Sequence, residues 1–407
     1  MKNILLLLCL ALPVCVFSQG FQVNLEGEKQ IGMGHTGTGT LLDGASVFFN
    51  PGAVAMLPAN YFQAGMSPLL FESDFNPSGT STQYHTANKI AQPFTFYGAL
   101  GPKSSWWKVG LGVYTPFGGL ADWGNSWEGK YVLESLDLKA IYFQPTLSIR
   151  LNKCLSIGAG LVYDVGSVDL TQAIPLTNSN GQDGQAELKG TGHGYGWNAG
   201  IYIKPSDKVS IGITHRSQVT TTINGGDAIF TVPASLATSF PQPNTFKSTI
   251  PLPATNSIGF GFYPTKKWTV ALDVNYIGWN VYKALEFDYQ NTTPTLQNSV
   301  SPRDYKNAMT FRGGAQYKAT DAVAIRFGGG YATTAVSDGY VTPEAPDANR
   351  VYGTVGLGFL IAKNLDIDLA FEYEHLMART QTNIQSQLSG TFETNVYIPG
   401  ISLAYHW

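Results

Sequence analysis

The sequence contains few charged residues and few cysteines. Charged residues make up 13% of its 407 positions, about half of the ~25% that soluble domains carry. The formal net charge is −3, which gives no indication of a nucleic-acid-binding protein. Cys9 and Cys15 fall in a predicted signal peptide, so the mature chain keeps only Cys154 and forms no intramolecular disulfide.

Long hydrophobic runs are absent after the first residues. Lys2 precedes an apolar stretch over 4–17, which is followed by Ser18. This pattern predicts a signal peptide over 1–18, because a membrane-spanning helix needs roughly 18 or more apolar residues. An exported chain with 45 glycines, 13% aromatic residues and no later membrane helix favours a transmembrane β-barrel.

Alternation of apolar and polar residues indicates strands. The stretch "LDIDLAFEYEHL" (365–376) places Leu365, Ile367 and Leu369 on one face and acidic residues on the other. The stretches 209–217 and 270–279 alternate in the same way. This period of two fits a barrel wall between lipid and lumen, and it fits a soluble β-sandwich equally well.

The lengths of the connections separate these two alternatives. Every second connection between predicted strands is tight, as in "PKSS" and "PSD", whereas the others are long, polar and mostly rich in proline. Short turns on one side and long loops on the other are typical of bacterial outer-membrane barrels. We therefore predict an all-β fold, a fourteen-stranded antiparallel transmembrane barrel over 59–407. The predicted strands cover 60–72, 92–101, 106–118, 135–150, 154–172, 185–204, 208–226, 248–263, 267–288, 304–318, 322–333, 349–362, 365–380 and 391–407.

The chain ends in "ISLAYHW", with the aromatic Trp407 as its last residue. This ending resembles the terminal strand by which barrel proteins are recognised for outer-membrane insertion. We expect outer-membrane lipid and the barrel-assembly machinery as partners, and no nucleic acid.

Patterns that could indicate chemistry lack their required context. "GMGHTG" holds a G-x-G-x-x-G at Gly32, Gly34 and Gly37, but the strand, helix and acidic residue of a dinucleotide site are not evident around it. The six histidines form no H-E-x-x-H or Cys/His cluster. We expect no enzyme activity, cofactor or metal, and we assign the glycines to close packing in a compact plug.

The stretch "WKVGLGVYTPFGGLADW" (107–123) changes character halfway along. It alternates as a strand through Tyr114 and then reaches Pro116 and a glycine pair. Proline cannot donate a ladder hydrogen bond, so it marks an edge, a bulge or a break in a sheet. Either a break opens the wall here, or the strand ends at Thr115 and a loop begins.

Several stretches resemble the FadL/TodX family of outer-membrane transporters for long-chain fatty acids and other hydrophobic compounds. The mature start "GFQVNLEGEKQIGMGHTGTGTLLDGASVFFNPGAVAML" is similar to the family's N-terminal segment, and later landmarks follow in family order. These landmarks are "GWNAGI", "ITHRSQV", "LPATNSIGFGF", "RDYKNAM" and "PDANRVY". The resemblance implies a monomeric fourteen-stranded barrel whose N-terminal hatch, residues 19–58, plugs the lumen.

The resemblance also implies roles for two short segments. In the hatch, Phe48 and Phe49 would pack against the inner wall and Asn50-Pro51-Gly52 would form a rigid turn, although the family motif has Ala at the position of Gly52. In the family, a break in the third strand makes a lateral opening. The matching residues here are Tyr114, Thr115, Pro116, Phe117, Gly118 and Gly119.

A fatty acid needs a basic group to hold its carboxylate. The family supplies part of this from the fifth strand, but the matching stretch "LVYDVGSVDLTQ" contains no Arg or Lys. The nearest basic candidates are Arg303 and Lys306, so neutral hydrophobic substrates remain open. The candidates for an initial capture surface, or equally for an aromatic girdle, are Phe71, Phe75, Trp123 and Trp127.

The function expected from this resemblance is passive transport of fatty acids or other hydrophobic compounds. Extracellular loops would capture the compound, and the break in the third strand would release it sideways into the membrane. The alternative is a surface adhesin or a structural outer-membrane barrel.

Overall fold

The computed structural model describes residues 20–102 and 104–407, so the predicted signal peptide lies outside the described residues. The helices are short: α1 is Glu28–Ile31, α2 is Ser46–Phe49, and 3₁₀ helices cover Pro51–Met56, Ala234–Ser239 and Trp279–Val281. No helix in this part of the chain is long and apolar enough to cross a membrane.

The described residues form one sheet of twenty-one strand segments. The segments are β1 Tyr61–Met66, β2 Leu69–Pro77, β3 Tyr84–His85, β4 Ile90–Ala91, β5 Phe94–Leu100, β6 Trp107–Asp122, β7 Ser135–Arg150, β8 Leu155–Ile174, β9 Gly184–Ser206, β10 Val209–Arg216, β11 Val219–Thr231, β12 Thr245–Leu252, β13 Thr255–Thr265, β14 Trp268–Ile277, β15 Ala284–Tyr289, β16 Ser299–Pro302, β17 Ala308–Lys318, β18 Val323–Ala332, β19 Arg350–Ala362, β20 Leu365–Thr382 and β21 Ser389–His406. The sheet closes on itself because β1 pairs antiparallel with β21, from Tyr61↔His406 to Met66↔Ile401.

Bends divide several wall strands into two or more segments. For example, β10 and β11 both pair with β9 on one side, and they pair with β13 and β12 on the other. The twenty-one segments therefore make up fourteen antiparallel wall strands, which confirms the predicted barrel. The predicted ninth strand, 267–288, is interrupted because the chain bends inward at Trp279, which packs against Phe117 with ring centroids 6.0 Å apart.

The alternation along the strands matches the two sides of the wall. On β20, Leu369 and Phe371 are 39% and 44% exposed on the outer face, whereas Asp368 and Glu372 face inward and are buried. Outer-face aromatic residues mark two levels, with a Tyr373–Tyr397 contact at one level and the stacked Tyr405–Trp407 pair at the other. Positions 397 and 407 are about 25 Å apart along the barrel axis for a strand tilted ~40°, which matches the usual height of an apolar band.

Residues 20–58, the N-terminal segment, lie against the inner face of the wall. Glycines on both sides allow the two backbones to approach closely. A Cβ added to Gly34 would lie 2.5 Å from the backbone nitrogen of Gly329, and one added to Gly39 would lie 2.5 Å from the carbonyl carbon of Gly259. The glycines of "GMGHTG" and of the wall strands thus provide close packing, as only residues without a Cβ fit there.

Candidate transport site

The wall has a gap beside the middle of β6. On one side β6 pairs with β7 throughout, with a register shift between Tyr114 and Phe117. On the other side β6 pairs with β5 only as far as Thr95↔Tyr114. The second wall strand comprises β3, β4 and β5. Beyond Tyr114, the next described hydrogen bond between this strand and β6 runs from Ala87 N to Asp122 O at 2.7 Å. The proline at 116 therefore lies within a strand, at a bulge, and this strand lacks its wall neighbour beyond Tyr114.

The start of the N-terminal segment occupies the free edge of β6. The Val23 amide donates to Pro116 O at 2.9 Å, and the Gly118 amide donates to Phe21 O at 3.0 Å. Gln22 and Phe117 form an antiparallel bridge between these two bonds. Residues 21–23 thus act as a short edge strand on the inner side of the gap.

A cavity of about 210 Å³ adjoins this gap. Its outer part is apolar and is formed by residues of the gap and of the neighbouring wall strands. The residues on this side are Leu69, Phe71, Ala91, Phe94, Thr115, Gly118, Gly119, Leu120, Leu138 and Ile141. The inner end is polar, and the shape and lining suit a hydrophobic compound with a small polar end.

The charged groups at the inner end of the cavity contact one another. Arg350 donates to Glu374 at 2.6 Å and lies 3.2 Å from Asp347. His35, from the N-terminal segment, lies 2.8 Å from Glu372. Two carboxylates share Arg350 and the third contacts His35, so these groups offer a ligand no unshared positive charge.

The predicted hatch motif forms a capped turn between α2 and the following 3₁₀ helix. The Asn50 side chain accepts a 2.9 Å bond from the Gly52 amide and donates to Thr38 O at 2.9 Å and Ile201 O at 3.1 Å. Pro51 begins the 3₁₀ helix, where its missing N–H costs no hydrogen bond. This turn joins the N-terminal segment to β9.

The two phenylalanines of this motif connect it to the break in β6. The Phe48 ring meets the Tyr114 ring edge-on at a centroid distance of 4.9 Å, and Phe48 also packs against Phe49. Tyr114 and Phe49 are buried. The two segments singled out from the sequence are therefore in direct contact.

Of the predicted ligand-binding residues, Phe71 lines the cavity. Arg303 is buried in an ion pair with Glu344, which itself lines the cavity. The amide of Lys306 donates to Ala335 O at 2.8 Å, and its side chain is not among the residues that line the cavity. The sequence thus identified one residue of the cavity wall and one residue directly behind it.

The other predicted aromatic residues form a buried cluster. Trp123 and Trp127 stack with ring centroids 4.7 Å apart, and Phe75 packs against Phe392 at 4.6 Å. Phe75, Trp123 and Trp127 are at most 6% exposed, so in this conformation they contact one another and neither solvent nor lipid.

Sequence analysis missed Arg216, which joins three parts of the site. Its guanidinium donates to Tyr114 Oη at 2.6 Å, Gln144 Oε1 at 3.0 Å and Phe48 O at 3.2 Å. The guanidinium carbon also lies 4.5 Å from the centre of the Phe48 ring. The only signal in the sequence is its inward register at the end of β10, where the strand bends.

A closed antiparallel barrel with an apolar outer band, an internal segment and a cavity at a wall gap defines an outer-membrane transport barrel. The chain belongs to the OMPP1/FadL/TodX family of outer membrane transport proteins, whose model matches residues 9–407. It is therefore an outer-membrane protein and a transport channel, not an enzyme. Within residues 20–102 and 104–407, no group of three or more His, Cys, Asp or Glu side chains could hold a metal ion.

Known proteins similar to this chain cover nearly its whole length. A long-chain fatty acid transport protein of Salmonella typhi is 24% identical, over 88% of each chain. A crystal structure of a Pseudomonas aeruginosa FadL homologue has a TM-score of 0.83 and 18% identity, covering 95% of this chain and 99% of that one. The Pseudomonas putida toluene transporter TodX has a TM-score of 0.73 and 15% identity, covering 96% and 99%.

Proposed function

We propose that this protein carries long-chain fatty acids or other hydrophobic compounds passively across the outer membrane and releases them sideways through the gap beside β6. The observation that carries the proposal is the continuity of the 210 Å³ apolar cavity with this gap. The names of its relatives, a fatty acid transport protein and a toluene transporter, agree with this substrate class.

Sideways release keeps the ligand out of water. Each Å² of apolar surface that stays buried is worth about 25 cal/mol, so a path from the cavity directly into lipid avoids a large free-energy cost. No coupling to an energy source is needed because the ligand moves down its own gradient. We propose that extracellular loops capture the ligand and that Phe71 contacts it inside.

In this proposal residues 19–58 form a hatch that blocks the lumen, and residues 21–23 gate the gap. Two backbone hydrogen bonds hold these residues to β6. At about 1 kcal/mol net for each bond, their loss costs roughly 2 kcal/mol, which thermal motion supplies often. The proposed protein works as a monomer, because a single chain closes the barrel and contains the whole path.

The test is to replace residues 114–119 with a regular strand that lacks proline and glycine. A straight β6 would pair with the second wall strand and close the gap, so uptake of labelled oleate or toluene by cells should fall at least tenfold. The matched control is Pro145→Val, which removes an exposed proline from the neighbouring strand β7, where wall strands pair on both sides, and should leave uptake unchanged. Unchanged uptake with the straight strand would exclude sideways release.

A further inference from the structure

Several inward-facing arginines of the barrel are neutralised by carboxylates. Arg303 pairs with Glu344, and Arg326 pairs with Asp368 at 2.7 Å. Arg216 and Arg312 differ, since neither makes an ion pair with any carboxylate in residues 20–102 and 104–407. These two arginines therefore lack an ion-pair partner within the described residues.

The groups that contact these two guanidinium groups are neutral. Arg216 donates to Tyr114 Oη, Gln144 Oε1 and Phe48 O. Arg312 donates to Asn24 Oδ1 at 2.6 Å and to His35 O at 3.2 Å. Neutral acceptors satisfy the N–H groups, and the carboxyl groups of Asp273 and Glu26 act on these arginines only from beyond ion-pair distance. An anion would bind more strongly to the same donors.

Both arginines line a second cavity, which lies directly behind the break in β6. It measures about 50 Å³ and also touches Pro116, Phe117 and Asn198. Asn198 is 2% exposed, and neither its amide nitrogen nor its amide oxygen has a hydrogen-bond partner. This space is of the size of one or two water molecules, which suits a carboxylate group and excludes a hydrocarbon chain.

The small polar cavity adjoins the larger apolar one. Gln22 and Asn24 line both cavities and separate them. A ligand with its head in one cavity and its chain in the other would therefore cross the start of the N-terminal segment, which pairs with β6. The arrangement fits a molecule with an anionic head and a single apolar chain.

We propose that Arg216 and Arg312 bind the carboxylate of an anionic hydrophobic ligand in this polar cavity, while its chain lies in the apolar cavity at the gap. The inference rests on the proposed transport function. The two arginines would supply the basic group that the fifth strand, "LVYDVGSVDLTQ", lacks. A carboxylate on Arg216 would also compete with Phe48 O and Tyr114 Oη, which couples ligand arrival to the contact between the hatch and the break in β6.

Glu26 makes this site dependent on pH, because it is buried and its Oε1 has no hydrogen-bond partner among the described residues. Burial raises the pKa of Glu26 to about 8, although the nearby Arg312 and Arg216 act to lower it. At pH 7 this carboxyl is therefore mostly protonated, and above pH 8 it ionises and competes with the ligand for the two arginines. The groups around it are Arg312, Arg216, Glu372, Tyr97 and Tyr114.

The test is calorimetric binding to the purified protein in non-ionic detergent. Oleate is the anionic probe, and oleyl alcohol is a neutral probe with the same chain. Arg216→Gln and Arg312→Gln, made separately, should each weaken oleate binding at least tenfold and change oleyl alcohol binding less than twofold. Arg150→Gln, at the far end of β7, where the guanidinium donates to the backbone carbonyls of Ser104 and Ser105, is the matched control and should change neither.

The remaining outcomes separate this site from the transport function. Equal weakening of both probes, or unchanged oleate binding in both variants, would overturn the carboxylate site while transport of hydrophobic compounds stands. If neither probe binds the unmodified protein, both proposals fail. A hexadecyl sulfonate, whose charge is constant, should bind at least threefold more weakly at pH 9 than at pH 7, and Glu26→Gln should abolish this difference. A pH response that persists in Glu26→Gln would contradict the role of Glu26.

Discussion

Gly52 lies at one of the closest approaches between the N-terminal segment and the wall. A Cβ at this position would lie 2.5 Å from Gly200 O, and a Cβ at Gly158 would lie 2.5 Å from the carbonyl carbon of Pro51. The obstructing atoms belong to backbone, so no rotation of a side chain relieves the clash. The departure from the family's Ala therefore has a steric reason in this chain.

Gly52→Ala should loosen the turn that Asn50 caps. Overpacking of this kind costs about 1–3 kcal/mol, which here would act on the contact between the hatch and β9. Hydrogen–deuterium exchange should rise in residues 46–56 and stay unchanged in the barrel strands. Gly353→Ala is the control, because a Cβ there meets nothing within 4 Å. Unchanged exchange in Gly52→Ala would contradict the steric explanation.

The sequence alone predicts the role of some single residues and not of others. Pro116 predicted an irregularity in the strand because proline lacks an N–H, and the structure has a bulge there. Arg216 and Trp127 carried no such signal, since partners such as Tyr114 and Phe75 come from strands that are remote in sequence. Alternation gives the face of a strand on which a side chain lies but not the residue it meets across the lumen.

At the scale of elements, the wall was predictable and the N-terminal segment was only partly so. Strands alternate with a period of two, so fourteen of them could be located, with errors mainly where bends divide a strand. No local sequence pattern predicts the pairing of residues 21–23 with β6, because an edge strand of three residues is too short to show alternation. Its position depends on the gap, which itself depends on the bulge at Pro116.

Deletion of residues 20–58 should give a barrel that folds and leaks. The pairs that close the wall, such as β1 with β21, do not involve this segment. The wall carboxylates Asp366 and Glu372 would lose their partners Lys29 and His35. They would then contact water in an open pore.

Single-channel recording in planar bilayers measures this leak. The deleted protein should show large, steady currents, whereas the intact protein should show none. Removal of residues 178–182, which lie in the exposed connection between β8 and β9, is the control and should also give no current. A barrel that lacks residues 20–58, folds and still passes no current would contradict the proposal that these residues block the lumen.

At the scale of the whole molecule, the barrel wall closes around the lumen and has a gap beside β6, and residues 21–23 pair with β6 at this gap. The barrel keeps an outer apolar band, so the membrane surrounds the gap on the outside. On the inside, residues 21–23 lie across it. We propose that a ligand leaves through this gap only when residues 21–23 move away from β6.

A reversible disulfide between positions 22 and 117 tests this claim most directly. These residues form an antiparallel bridge pair, whose Cα atoms are normally about 4.5–5.5 Å apart and thus within the range of a disulfide. In a Cys154→Ser background, Gln22→Cys with Phe117→Cys should reduce uptake of labelled oleate at least tenfold when oxidised and restore it on reduction. Each single cysteine variant should transport under both conditions. Full uptake by the completely oxidised double variant would contradict release through the gap.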